Sequence, residues 1–452
     1  MVDVGLLVLS ARNISRLSSL LSTARNSVKT KLYVRVQGPC LHTVLPSIYL
    51  QSSHVCPELD VRVLLGKKLP ANALLIGEEE PSDYDVPKPL YKKVVIGGTF
   101  DRLHNGHKVL LSKAALLASE SITCGVTYKS MIIKKQLFEL IEPVETRMMA
   151  VRDFVSDVSD DVVCLPEPIV DPFGPSIVVP DLEAIIVSKE TIKGGEAVNK
   201  KRQEKGMSFL ETVVIDLLEA NDEVLNETKI SSSSRRREAL GTLLKKPNVL
   251  PKQNKKPYIV GLTGGIASGK TNIAKYLKKD GIELIDCDKL AHTCYTRNSD
   301  LVFEIEKKFP DVVKDGEVDR RALGRIVFAD KEKLHCLSSL IWPILKKKVD
   351  EIVANSTSDI IVIEAAAIVE AGWDEHMNEL WTVFVSPDEE VERVIRRDSL
   401  SKEEAENRVN SQISNIERLS KSHVAFCSLW AYEETEKQVQ KAILSLKTRI
   451  GV

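Results

Sequence analysis

The chain has 452 residues, 43% hydrophobic and 28% charged, enough for two or three domains with substantial cores. Lys and Arg total 63 against 64 Asp and Glu; the formal charge of −1 gives no whole-chain case for a nucleic-acid partner. The eight cysteines include no CxxC pair and read as reduced, buried thiols, and no apolar run approaches the about 20 residues needed to span a bilayer.

Residues 1–90 carry no chemical motif and read as an amino-terminal non-catalytic region and linker. "GLLVLS" and "LSSLLS" lie among Arg12, Arg16, Arg25, Lys29, Lys31 and Arg35. This start reads equally as a short strand and a helix with a basic face, or as an Arg-rich mitochondrial signal or membrane-surface helix. "DVRVLL" at 60–65 alternates like a strand, and the acidic, proline-punctuated "GEEEPSDYDVPKP" at 77–89 reads as a linker.

Residues 91–220 alternate strand and helix. "YKKVVIGG" is a strand ending in glycines, "GHKVLLSKAALLASE" a helix, "SITCGVT" a strand, "VETRMMAVRDFVSDV" a helix, "DLEAIIVS" a strand, and "MSFLETVVIDLLEA" a strand or helix. Such alternation predicts a largely parallel sheet covered by helices. Residues 221–257 hold nine basic and four acidic residues and read as a basic, flexible joint with one helix around "ISSSSRRREAL". Arg235 to Arg237 are candidates there for phosphate contact.

Residues 258–452 restart the alternation with the strands "YIVGLTGG", "GIELIDCD", "DIIVIEAA" and "LWTVFVS", and with the helices "GKTNIAKYLKKD", "DEEVERVIRR" and "SKEEAENRVNSQIS". Ser401 with Glu404 forms a capping box at the start of the last. The predicted fold class is therefore α/β, with two such domains in succession.

Two stretches carry chemistry. "GGIASGKT" fits GxxxxGK[ST] between a strand and a helix. Gly264, Gly265, Ile266, Ala267, Ser268 and Gly269 supply backbone N–H groups to phosphate, Lys270 neutralises β/γ oxygens, and Thr271 holds Mg²⁺. No NKxD follows, which argues against a GTPase and favours a compact small-molecule kinase. Asp286 and Asp288, at the end of the second strand, are expected on opposite sides of it, with Asp288 as the base. Arg393, Arg396 and Arg397 suit a lid, and Arg408 and Gln412 share one helix face.

In "VVIGGTFDRLHNGH", His104 and His107 lie three apart at a helix start, after a close turn at Gly97 and Gly98. With no third ligand nearby, the pair suits stabilisation of an anionic transition state, not metal binding.

"VGLTGGIASGKTNIA", "GIELIDCDKLAH", "DGEVDRRALGRIVF", "WPIL", "EAAAIVEAGW" and "RVIRRDSLSKEEAENRVNSQIS" together resemble dephospho-coenzyme A kinases, which phosphorylate the ribose 3'-hydroxyl of dephospho-CoA with ATP. The resemblance implies a catalytic Asp288, a nucleotide-binding Lys270 and Thr271, and phosphate or nucleotide contacts at Arg320, Arg397 and Arg408. Glu364 departs from the family's aspartate, and Trp342 from its histidine. "GGTFDRLHNGHKVLLSKA", "CGVT", "DPFGP" and "VSKETIKGGEAVNKKR" resemble the HxGH nucleotidyltransferases, and among them the phosphopantetheine adenylyltransferases. That family joins ATP and 4'-phosphopantetheine into dephospho-CoA and pyrophosphate.

This second resemblance implies roles for His104 and His107 on transition-state oxygens, for Thr99 on the acceptor phosphate, and for Asn199 and Arg202 on ATP phosphates. Lys129 and Lys134 are further phosphate partners, while Tyr128 replaces a common acidic residue. The whole resembles bifunctional coenzyme A synthases: a Rossmann-like HxGH nucleotidyltransferase domain (91–220), then a P-loop kinase α/β domain (258–452). It implies Mg²⁺ and ATP, the substrates 4'-phosphopantetheine and dephospho-CoA, and a cytoplasmic or mitochondrial location. Peripheral association with a mitochondrial membrane and a monomer or weak homo-oligomer complete the expectation. The alternatives are a nucleotide-binding scaffold with weakened catalysis, and an HxGH transferase fused to another metabolite kinase.

Overall fold

The computed structural model describes residues 1–38, 40–70, 72–82, 87–215, 232–248 and 257–452. The chain forms two compact units, Met1–Arg235 and Arg236–Val452. Most of the basic joint, at 221–231 and 249–256, lies outside the described residues, as do 83–86 of the acidic linker.

The first unit contains two parallel sheets. Strands β1 (Val2–Leu9), β2 (Val28–Val36), β3 (Asp60–Val63) and β4 (Leu74–Ile76) pair in the order β3-β2-β1-β4, with helices α1 (Leu17–Ser27) and α2 (Leu41–Val55). The second sheet uses β5 (Tyr91–Gly98), β6 (Ala118–Thr127), β7 (Val163–Ile169), β8 (Ala184–Ser188) and β9 (Glu211–Ile215), in the order β7-β6-β5-β8-β9. Helices α3 (Asn105–Leu117), α4 (Val144–Val158) and α5 (Ile192–Glu204) connect them, and α6 is Ser232–Ala239. The expected helix from Gly106 ends early: Ala118 begins β6, and its burial in the sheet outweighs the helical propensity of "ASE".

One hydrophobic cluster joins both sheets, running from Leu7, Leu32 and Tyr49 through Val94 and Ala114 to Phe154 and Ile186. Residues 1–76 are thus packed into the same core as the strand that delivers the two histidines. Polar contacts reinforce the junction: Asp157 on α4 receives Lys31 at 3.1 Å, Arg62 at 2.7 Å and the Tyr33 hydroxyl at 2.8 Å.

The second unit has the parallel order β11-β14-β10-β15-β16. Its elements begin β10 (Tyr258–Gly264), α7 (Lys270–Lys279), β11 (Glu283–Asp286), α8 (Cys287–His292) and α9 (Asp300–Lys308). A small hairpin, β12 (Val313–Lys314) with β13 (Glu317–Val318), precedes α10 (Arg320–Phe328) and α11 (Lys331–Asn355). Then come β14 (Ile360–Glu364), β15 (Glu379–Phe384), α12 (Pro387–Asp398), α13 (Lys402–Asn410), α14 (Asn415–Lys421), β16 (Val424–Cys427) and α15 (Tyr432–Ile450). The near-continuous apolar runs of β10, β14 and β15 are buried on both faces, as central parallel strands require.

Ser386 caps α12 ahead of Pro387, with acids in the first turn and Arg396 and Arg397 in the last, matching the helix dipole. The Ser401–Glu404 capping box starts α13.

Two expectations are corrected. Asp286 and Asp288 do not alternate along one strand: β11 ends at Asp286, which caps α8 by accepting from Lys289 N at 2.9 Å, so Asp288 sits in the first helical turn. Gln412 lies beyond the end of α13 and does not share a helix face with Arg408.

Candidate active sites

At the end of β5, a Cβ on Gly98 would come within 3.1 Å of the Phe100 ring, so glycine lets the loop fold back on itself. Phe100 and Arg102 both adopt positive φ, at 49° and 48°, strain that clusters at functional loops. The fully buried side chain of Asp101 accepts from Glu142 N at 3.0 Å, a loop-fixing role. Arg147 is almost fully buried and donates to the Thr99 carbonyl at 2.6 Å and the Thr127 carbonyl at 3.0 Å, tying the ends of β5 and β6 together. Thr99 Oγ1 accepts from Thr127 Oγ1 at 3.2 Å. Gly97 pairs with Gly125 in the sheet.

His104 is the N-cap of α3 and His107 lies in its first turn. Their rings stack with centroids 3.9 Å apart. His104 N donates to His107 Nδ1 across a long 3.5 Å, which leaves the proton of the neutral His107 ring on Nε2. Burial, then the charges of Arg235 and Lys108, pulls His104 down to about 4; burial and His104 pull His107 well below its ordinary value. Both rings are therefore neutral N–H donors near pH 7.

Ser232 is legible only as part of the joint, and Arg235 only as a candidate for phosphate contact without a site; Ser232 Oγ stands 3.4 Å from His104 Nε2 and the Arg235 charge bears on the same ring. Serines followed by arginines at a helix start were the available signal. Lys129, at φ 47°, lies exposed with its ammonium 5.6 Å from the Tyr128 ring, at the end of β6.

Asn199 and Arg202 depart from expectation. Asn199 is engaged in both directions with the Leu210 backbone, at 2.9 and 2.8 Å. Arg202 is 0% exposed and donates to the carbonyls of Ser208, Ser176, Val179 and Pro180. With its donors spent on backbone and its surface closed, Arg202 holds the loop after α5 and does not reach a phosphate.

In the second unit the 264–271 loop joins β10 to α7. A Cβ on Gly264 would lie 2.3 Å from the Val383 carbonyl, and Gly269 holds φ 98°, so both positions require glycine. Gly265 packs against Glu390. Ile266 N donates to Gln412 Oε1 at 2.8 Å. Arg393 donates to the Ala267 carbonyl at 3.4 Å and to Ser428 Oγ at 2.8 Å, while Ser428 Oγ donates to the Ser268 carbonyl at 2.6 Å. Arg393 thus braces the loop; this is the role of one arginine expected in the lid.

Lys270 is lowered from its ordinary value by burial, opposed by the carboxylates of Asp288 and Glu364; Arg418 and Arg397 also bear on it. Glu364 ends β14, in register with Asp286 of β11, and burial raises its carboxyl. Thr271 and Asp288 are exposed at the helix starts beside this charge cluster. Asp398 receives Arg397 at 2.8 and 2.9 Å and Arg408 at 3.0 Å, so one carboxylate holds two of the three expected phosphate-contacting arginines. Arg320, the first residue of α10, is exposed and near Tyr295.

Fold and sites together define a nucleotide-handling α/β enzyme: a Rossmann-like nucleotidyltransferase domain fused to a P-loop kinase domain. A dephospho-CoA kinase family model matches residues 258–427, and a cytidylyltransferase-like model matches residues 95–239. A dephospho-CoA kinase of Symbiobacterium thermophilum is 33% identical over 189 residues, covering 41% of this chain and 79% of the relative. One from Fusobacterium nucleatum is 33% identical over 186 residues, covering 40% and 95%. The phosphopantetheine adenylyltransferase of Saccharomyces cerevisiae is 41% identical over 142 residues, 31% of this chain; the chain spans 47% of that relative's length. Through its second unit, the chain belongs to the dephospho-CoA kinase family.

Proposed function

We propose that the chain catalyses two consecutive steps of coenzyme A assembly. In the first, an oxygen of the 4'-phosphopantetheine phosphate attacks the α-phosphorus of ATP, the bond to the bridging oxygen breaks, and pyrophosphate leaves with dephospho-CoA as product. The nucleophile is already an anion, so the protein aligns the two phosphates and stabilises the added charge. His104 and His107 donate to the transition-state oxygens, and Thr99, Lys129, Ser232 and Arg235 surround the phosphates.

In the second step the dephospho-CoA 3'-hydroxyl attacks the ATP γ-phosphorus, the bond to the β–γ bridging oxygen breaks, and ADP leaves with CoA as product. Asp288 takes the hydroxyl proton, Lys270 and the loop N–H groups hold the β/γ-phosphates, and Arg397 and Arg408 approach the transferring group. The hydroxyl and carboxylate oxygens of Thr271 and Asp288 are hard donors that suit Mg²⁺. Among the described residues no cluster of three or more His, Cys, Asp or Glu could hold a metal alone. Thr271 would hold a Mg²⁺ ion brought with the nucleotide, which would supply neutralisation of phosphate charge.

The observation that carries the reading is the presence, in one chain, of a stacked histidine pair at a helix start and a glycine-constrained phosphate loop whose Lys270 feels the charges of Asp288 and Glu364. We propose residues 91–220 and 258–452 as the two catalytic domains. Purified protein with Mg²⁺, ATP and 4'-phosphopantetheine should yield pyrophosphate, ADP and CoA, resolved by mass. Dephospho-CoA alone would remove the kinase step. Silence with 4'-phosphopantetheine but CoA from supplied dephospho-CoA would remove the first.

A further inference from the structure

The residue between the two histidines is held by the amino-terminal part of the chain. Asn105 Nδ2 donates to the Tyr49 carbonyl at 2.8 Å, to Ser53 Oγ at 2.8 Å and to Ser52 Oγ at 3.1 Å, all on α2. Ser52 and Ser53 spend their own protons on the Tyr49 carbonyl, at 3.0 and 2.8 Å, so their lone pairs are left to receive Asn105.

One turn further along α3, Lys108 is 6% exposed and donates to Asp60 Oδ1 at 2.5 Å and the Val61 carbonyl at 3.1 Å, both on β3. Another turn on, Ser112 Oγ meets the Tyr49 hydroxyl at 3.3 Å. Residues 105, 108 and 112 follow the i, i+3, i+7 spacing of one helical face. That whole polar face is spent on residues 49–61, and the same first turn carries His104 and His107.

A buried lysine is a costly way to pack a helix, because desolvating its ammonium costs several kcal/mol that an apolar side chain avoids. What directional hydrogen bonds add over apolar packing is a fixed rotation of the helix start. Misplacing reacting groups by about 1 Å can cost on the order of 10²-fold in rate.

We infer that Asn105 is a positioning residue for the histidine pair, and that the layer formed by residues 1–76 is a working part of the first active site through the grip of α2 on Asn105. The inference rests on reading the first site as an adenylyltransferase. Asn105 acts through the orientation of His104 and His107, without contact to substrate.

The test uses the full chain with Asn105→Asp, which keeps the shape and removes the donor, and with Ser52→Ala/Ser53→Ala, which removes two acceptors on α2. Each should lower kcat for dephospho-CoA formation about tenfold with little change in KM for ATP. Phosphorylation of supplied dephospho-CoA should stay at the wild-type rate. The ring ¹H–¹⁵N signals of His104 and His107 should shift in both variants. Ser53→Thr, which keeps the hydroxyl, should restore the rate that Ser53→Ala loses; this pair decides the question if the other variants unfold. Unchanged kcat and ring signals, or a loss confined to KM, would overturn the inference. If the wild type makes no dephospho-CoA, the reading of the site fails, and the ring signals still decide whether residues 49–61 set the histidines.

Discussion

The imidazoles of His104 and His107 lie stacked, 3.9 Å between centroids and 26° from parallel. Two imidazolium ions at that distance would repel strongly, so the arrangement works only with neutral rings, which burial favours. Neutral N–H donors at a helix start suit charge that appears during reaction. His107→Ala should therefore lower adenylyl transfer by about 10²–10³. It should leave phosphorylation of supplied dephospho-CoA unchanged, with both products followed by mass. Loss of both activities from a folded variant would contradict two separable sites.

Lys270→Ala gives the reciprocal case. The charges of Asp288 and Glu364 bear on the ammonium, and no other side chain on the 264–271 loop carries a positive charge. Dephospho-CoA should accumulate, and CoA formation should fall by about 10² or more. Single-turnover measurements with dephospho-CoA and ATP would locate the loss at phosphoryl transfer.

The two motifs were legible because each couples a short residue pattern to a strand before and a helix after, and local chain geometry does the rest. What was not legible depended on contacts distant in sequence. Arg202 is expected at the ATP phosphates through the resemblance of "VNKKR" to a family element. Only the fold shows the carbonyls of residues 176–180 and 208 closing around it. Likewise nothing in "IYLQSSHV" announces acceptors for Asn105, and nothing local links Arg235 to the His104 ring on which its charge bears. Asp288 was placed on the right element boundary, but the strand-to-helix switch at Cys287 was hidden by the apolar run before it.

Arg202→Ala then becomes a stability prediction. Its removal strands several carbonyls that receive it, each costing about 1–3 kcal/mol if left without a partner. Amide hydrogen exchange in α5 and β8 should rise sharply, while KM for ATP in the folded fraction stays near wild type. A raised KM with unchanged protection would return Arg202 to the nucleotide.

Asp288→Asn should separate the acidic groups at the kinase site. Asp288 is exposed in the first turn of α8, where an acceptor hydroxyl can reach it, whereas Glu364 is 5% exposed and its carboxyl is raised by burial. A general base contributes about 10²–10⁴. Asp288→Asn should lose at least the lower figure in kcat with KM for ATP little altered, and Glu364→Gln should lose less. The reverse order would make Glu364 the proton acceptor.

Acid should destabilise the first unit over a defined window. An unfolded histidine titrates near about 6.5. Folded His104 titrates at about 4, and burial with the neighbouring His104 holds His107 well below its ordinary value. Between those values the unfolded chain binds protons that the folded chain does not, so stability falls as pH falls from about 6.5 toward 4 and is insensitive to these rings above 6.5. All four tryptophans lie in the second unit, so their fluorescence cannot report this loss. Hydrogen exchange along α3 can. Protection there should decline through the window, and His104→Gln with His107→Gln should flatten the decline. An equally steep decline in the double variant would assign the acid sensitivity to other groups.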